Sequence, residues 1–160
     1  MDAALGAVGE LLAADGRSVA LVIVGGACLN MLGALTRTTA DIDVIAQVHF
    51  SKAGDLDART PIPFPAELVK AIATVARDFR LAPDWMNNVV GSQFRMGLPP
   101  TLFSELTWKD FGGLRIGLPA RSALLALKLF AAVDRGPRSV HMQDLLALRP
   151  TSLELKDAAT

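Results

Sequence analysis

An α/β fold, with a small mixed sheet flanked by helices, is predicted by three features of this chain. Residues 18–24, "SVALVIV", form a β-branched run bounded by glycines, the pattern of a strand buried on both faces. Apolar residues recur at helical spacing on either side of it, at Leu5, Val8, Leu11 and Leu12 and again at Leu68, Ile72, Val75, Ala76 and Phe79. Further on, "LFSELTW" and "LRIGL" flank a turn containing Asp110, Gly112 and Gly113, which reads as a β-hairpin over 102–118.

The elements follow in order. Asp2 is a candidate N-cap for the first helix and Gly16 a candidate stop. Gly25 and Gly26 end the buried strand, and the Ala, Leu and Met content of 27–35 predicts a short helix after a tight turn. "DIDVIA", 41–46, is strand-like, and an Asp/Gly/Lys patch with two prolines makes 47–63 a predicted loop. Pro65 suits the first turn of a helix reaching about residue 80. "APDWMNNVV", 82–90, reads as a short helix or turn, and Trp85 as a packing anchor. Pro119 opens an apolar helix to about residue 133, Ser139 caps another through 148, and Thr151 with Glu154 has capping-box spacing.

At 160 residues, 51% of them hydrophobic, the chain suits one domain spanning 1–160 with a real core. Sixteen basic and sixteen acidic side chains cancel, which argues against the broad positive surface of a general nucleic-acid binder. Cys28, the single cysteine, lies in an apolar stretch and supports no disulfide framework. The apolar segment 19–35 is interrupted by Asn30 and three glycines and is too short for a membrane span, and no basic segment precedes an N-terminal apolar run. The expectation is a cytoplasmic protein that makes no membrane contact.

Chemistry concentrates in "VGGACLNMLGALTRTTADIDV", 24–44. In a strand, residues i and i+2 share a face, so Asp41 and Asp43 project together while Ile42 points into the core. Two carboxylates held that close repel, and a divalent cation between them relieves the repulsion; hard oxygen ligands suit magnesium. Glycines without Cβ atoms let backbone N–H groups approach a phosphate. Arg37, Thr38 and Thr39 stand where a guanidinium and hydroxyls can hold further phosphate oxygens. Each piece has a plainer reading, since Gly-Gly is often only a turn and Asp-x-Asp often a solvated strand end.

The order of strand, Gly25-Gly26, short helix and Asp41-x-Asp43 resembles the nucleotidyltransferase superfamily of the polymerase-beta type, in the branch of AbiE type II toxin-like nucleotidyltransferases. Downstream, "APDWMNN" is similar to a Pro-Asp-Trp-x-Asn segment of related proteins. "LLALKLFAAVDRGPRSVHMQDLLAL" is similar to their lysine helix with its Arg/His/Asp segment, so the likeness covers most of the chain. It implies a nucleotidyltransferase-like fold and a metal-dependent enzyme that moves a nucleoside monophosphate from a nucleoside triphosphate, ATP among the candidates, to an acceptor hydroxyl with release of pyrophosphate. Asp41 and Asp43 are then catalytic and hold Mg2+ or Mn2+; Gly25, Gly26, Arg37, Thr38 and Lys128 bind nucleotide; Glu105 is the best candidate for the third carboxylate, ahead of Asp110 and Asp84.

Lys128 interrupts a helix otherwise fit for burial and needs a partner, either a phosphate or a carboxylate, unless it snorkels at the core rim. Asp144 is read as a supporting residue that ion-pairs with Lys128, Arg135 or Arg138 and orders the site, and His141 as a boundary group. By resemblance the acceptor is a tRNA or a protein, the role that of a toxin, and the partners a neutralising antitoxin or a second copy of the chain. The relatives continue with further helices after the segment matching "RPTSLEL", so a short C-terminal helical part is expected. The competing expectation is a catalytically weak or inactive nucleotidyltransferase-fold module that binds nucleotide or a partner. An antibiotic-modifying enzyme is a third reading, disfavoured by the small acceptor region.

Overall fold

The structure, a computed structural model, describes residues 1–36, 38–95, 97–99 and 101–159. Helices α1 (Asp2–Ala14), α2 (Gly25–Met31), α3 (Ala66–Phe79), α4 (Arg121–Arg135), α5 (Val140–Ala147) and α6 (Ser152–Ala158) accompany strands β1 (Val19–Val24), β2 (Ile42–Phe50), β3 (Leu56–Arg59), β4 (Met86–Asn87), β5 (Leu106–Phe111) and β6 (Leu114–Pro119). The α/β class read from the sequence is the one observed.

The six-stranded sheet runs β3-β2-β1-β6-β5, with β4 also paired to β2. It is mixed: β1 pairs antiparallel with β2 and parallel with β6, and β5 and β6 form the expected hairpin. β1 edges one side of β2, so β3 and β4 share the other, β3 along Gln47–Phe50 and β4 along Ile42–Asp43. Every residue of β1 is buried, as its β-branched run predicts. Each such aliphatic side chain contributes about 1.5–3 kcal/mol over leaving it in water. α1 packs against α3, β5 and β6, while α5 and α6 pack on α4. The buried side chains form one continuous core cluster, and among the described residues no helix is long and apolar enough to cross a membrane.

Several local expectations are corrected. Met1, not Asp2, occupies the α1 N-cap position, and Asp2 is the first helical residue, where its charge favours the helix dipole. Leu11 and Phe79 match the periodicity yet are exposed, because each falls at the margin of its apolar stripe. α2 begins at Gly25 itself, with no intervening turn. The predicted loop 47–63 contains the end of β2 and all of β3, a polar edge strand joined through a turn in which the Ser51 hydroxyl accepts from the backbone N–H groups of Ala53 and Asp55. Of the short helix or turn expected over 82–90, the structure has a turn at 83–85, followed by β4 and the start of a 3-10 helix, Val89–Arg95. Asp110 belongs to β5, while Glu105 precedes that strand. Trp85 is the expected anchor: it is buried and its indole N–H donates to the Ile72 carbonyl at 3.3 Å.

Candidate functional site

The site forms where β1 runs into α2. Val24 pairs with Asp43, so the diglycine and the second aspartate meet across adjacent strands. Gly25 has φ +76°, and a Cβ there would stand 2.5 Å from Asp43 Oδ2. Glycine takes up this backbone conformation without strain and leaves room for the carboxylate lying over it. A register shift between Val22 and Ile23 skips Ile45 and makes a bulge one turn of the pleat from Asp43. Such an insertion re-aims the side chains beside it.

Ile42 is fully buried and Asp43 half-buried, while Asp41 stands just before the strand and is exposed. Burial, then the charge of Asp41, raises the Asp43 carboxyl above its ordinary value; a hydrogen bond from Asn87, the charge of Lys128 and that of His141 when protonated act the other way. The charge of Asp41 therefore reaches the Asp43 carboxyl. Their oxygens, the mutual repulsion and the space that glycine leaves at position 25 are chemically suited to a hard divalent cation.

Behind them lies an ion pair that burial has made costly to break. Lys128 Nζ sits 2.6 Å from Asp144 Oδ2, with the residues only 7% and 1% exposed. Among the partners open to Asp144, Lys128 is one with which it pairs. That commitment leaves Lys128 poorly accessible to a phosphate, and its charge acts instead as a field felt by Asp43, His141 and Cys28. Burial pushes the Cys28 thiol up to about 12, so it is an inert core residue. Burial and then Lys128 hold His141 below its ordinary value against the pull of Asp144, which leaves the imidazole neutral at pH 7.

The remaining expected site residues are dispersed. Gly26 is the second residue of α2, whose first turn has no side-chain cap. Thr38 lines a hollow of about 340 Å³ with Thr39, Ala27, Asn30 and Lys109, apart from the two aspartates. Arg37 lies outside the described residues. Glu105 is exposed just beyond the Leu106–Pro119 pair, and β1 and β6 separate it from β2. Three strand steps of about 4.8 Å place it roughly 14 Å across the sheet from Asp43. Asp110 is engaged by Arg115 at 2.7 Å, and Asp84 is exposed in the turn before Trp85. None of the three completes the pair, and among the described residues no group of three His, Cys, Asp or Glu side chains is arranged to hold a metal.

What stands beside Asp43 is Asn87, paired with it in parallel register and donating from Nδ2 to Oδ1 at 3.3 Å. Asn87 falls within the Pro-Asp-Trp-x-Asn likeness, which assigns it no role. His141, a boundary group by its sequence, is electrostatically coupled to Lys128, Asp144 and Asp43. A larger apolar hollow of about 730 Å³, walled by α4, α6, Gly97, Pro99 and Thr101, contains none of these groups. No family model, no curated protein and no solved structure matches the chain.

Proposed function

We propose that this chain is a nucleotidyltransferase that moves a nucleoside monophosphate from a nucleoside triphosphate to an acceptor hydroxyl. The acceptor oxygen bonds to the α-phosphorus as the bond to the bridging oxygen breaks, and pyrophosphate leaves. The observation that carries this reading is the Asp43 carboxylate packed over Gly25 with the charge of Asp41 beside it. Asp41 and Asp43 are the residues that would hold Mg2+ or Mn2+. When bound, such a cation supplies charge neutralisation at the triphosphate and lowers the pKa of the attacking hydroxyl. Gly25 and Gly26 offer uncapped backbone N–H groups to phosphate oxygens. Lys128, held by Asp144, contributes a positive charge felt by Asp43, and His141 is a base coupled to the same charges.

The resemblance of the Gly-Gly and Asp-x-Asp segments extends the proposal to a toxin-type role, with a tRNA or protein acceptor and a neutralising partner. The test is incorporation of label from each of the four α-labelled triphosphates into RNA and into protein, with Mg2+ or Mn2+. Asp41→Ala/Asp43→Ala is the control. Label incorporated by the wild-type chain and absent from the double variant is the expected result. That none of the described residues supplies a third carboxylate at the pair favours a second reading, a catalytically inactive nucleotide-binding or interaction module. Saturable nucleotide binding with no incorporation selects that reading, and neither binding nor incorporation removes both.

A further inference from the structure

Asn87 makes two hydrogen bonds that point in opposite senses. Its Oδ1 accepts from the backbone N–H of Val89 at 3.2 Å, at the start of the 3-10 helix. Only an oxygen can accept there, so the amide is turned with Nδ2 toward Asp43, where it donates to Oδ1 at 3.3 Å. The other carboxylate oxygen, Oδ2, lies over the open face of Gly25. Asp43 is thus held from both sides, by an amide on one oxygen and by a residue without a side chain under the other. Asn87 reaches this place because β4 continues the sheet beside β2 in parallel, with Met86 opposite Ile42 and Asn87 opposite Asp43.

An aspartate at position 87 would present an acceptor to the Val89 N–H as well as asparagine does, yet would set a third negative charge against Asp43. The neutral amide avoids that repulsion and adds a donor. We propose that Asn87 is a positioning residue for Asp43: it orients the carboxylate toward a divalent cation shared with Asp41 and, by being neutral, keeps the number of carboxylates there at two. This rests on reading Asp41 and Asp43 as a cation site.

The test is calorimetric titration of the metal-free full chain with Mn2+ alone, with far-UV circular dichroism to confirm the fold of each variant. The wild-type chain is expected to take up one Mn2+. Asn87→Ala is expected to bind it about 10–100-fold more weakly, the usual effect of removing a residue that orients a metal ligand. Asn87→Asp, nearly isosteric, is expected to bind at least as tightly as wild type, since a further carboxylate oxygen is a ligand for a hard cation. A merely structural role moves the two variants alike, so equal losses overturn the proposal. Wild-type affinity in Asn87→Ala, with uptake abolished by Asp43→Asn, overturns the positioning role alone. If Asn87→Ala fails to fold, Asn87→Leu, of similar size but without a donor, takes its place, and wild-type affinity there overturns the positioning role. No uptake by the wild-type chain overturns this proposal and the cation reading together.

Discussion

Burial and the adjacent charge of Asp41 push the Asp43 carboxyl above its ordinary 3.8, even with Asn87, Lys128 and His141 drawing it down. The folded chain then holds this proton more tightly than the unfolded chain does. Its contribution to stability is greatest in acid and declines as pH rises from the unfolded value through the folded one. Metal-free Asp43→Asn is therefore expected to melt above wild type at pH 7, where a gain near 1 kcal/mol reads as about 2–4 °C in a domain of this size. Thermal melts across pH check the sign: the difference shrinks on acidification as the wild-type carboxyl becomes neutral. Lys128 and Asp144 behave differently, since each is the other's compensation for leaving water. Lys128→Met and Asp144→Leu are each expected to cost about 3–5 kcal/mol in urea denaturation, and the double variant to regain most of that loss. The sequence showed that Lys128 needed a partner, because a lysine in an apolar helix is rarely buried alone. It left the partner open, because candidates at many separations satisfy the same need.

Helices and strands meet closely enough for single backbone positions to decide whether an element seats. α1 lies on the β5–β6 hairpin so tightly that a Cβ at Gly9 would fall 1.4 Å from the Phe111 carbonyl oxygen, and Gly113 N–H donates to Gly9 O at 3.0 Å. Alanine favours a helix over glycine by about 1 kcal/mol, but here the helix must lift away from the hairpin. Gly9→Ala is expected to lose at least about 1–3 kcal/mol net. Gly6→Ala, on the same helix with nothing within 4 Å of the new Cβ, is expected to gain about 0.5–1 kcal/mol. Chemical denaturation of the two variants separates seating from propensity by the sign of the change. Strong elements such as β1 and α3 were legible because their period is local. β3 and β4 were not: β3 is a short polar edge strand, and two-residue β4 exists only because β2 offers it an edge.

Across the whole molecule, the C-terminal helices carry Lys128, His141 and Asp144 to the site and are clasped by one arginine. Arg121 at the start of α4 bonds through Nε to Glu154 of α6 at 2.8 Å and through its terminal nitrogen to the Leu148 carbonyl at 2.8 Å, while Thr151 and Glu154 form a complete capping box. The hydrogen bond from Arg121, followed by that from the Thr151 backbone, lowers the Glu154 carboxyl to about 2. A depressed carboxylate stabilises the fold above its unfolded value of 4.5, and that contribution is lost as pH falls toward about 2. Glu154→Gln is expected to speed hydrogen exchange across α6 several-fold at pH 7 when read by mass spectrometry. The difference from wild type closes between pH 4.5 and about 2. By itself the sequence determined the α/β class, the buried first strand and the hairpin. These rest on residues within one turn or one strand, where covalent spacing sets which side chains share a face. Tertiary structure alone decided that Asn87, 44 positions from Asp43, stands at its carboxylate, that Asp144, 16 positions from Lys128, is its counter-ion, and that Glu105 is excluded. Strand register and helix packing bring such groups together, and neither leaves a periodic trace in the chain.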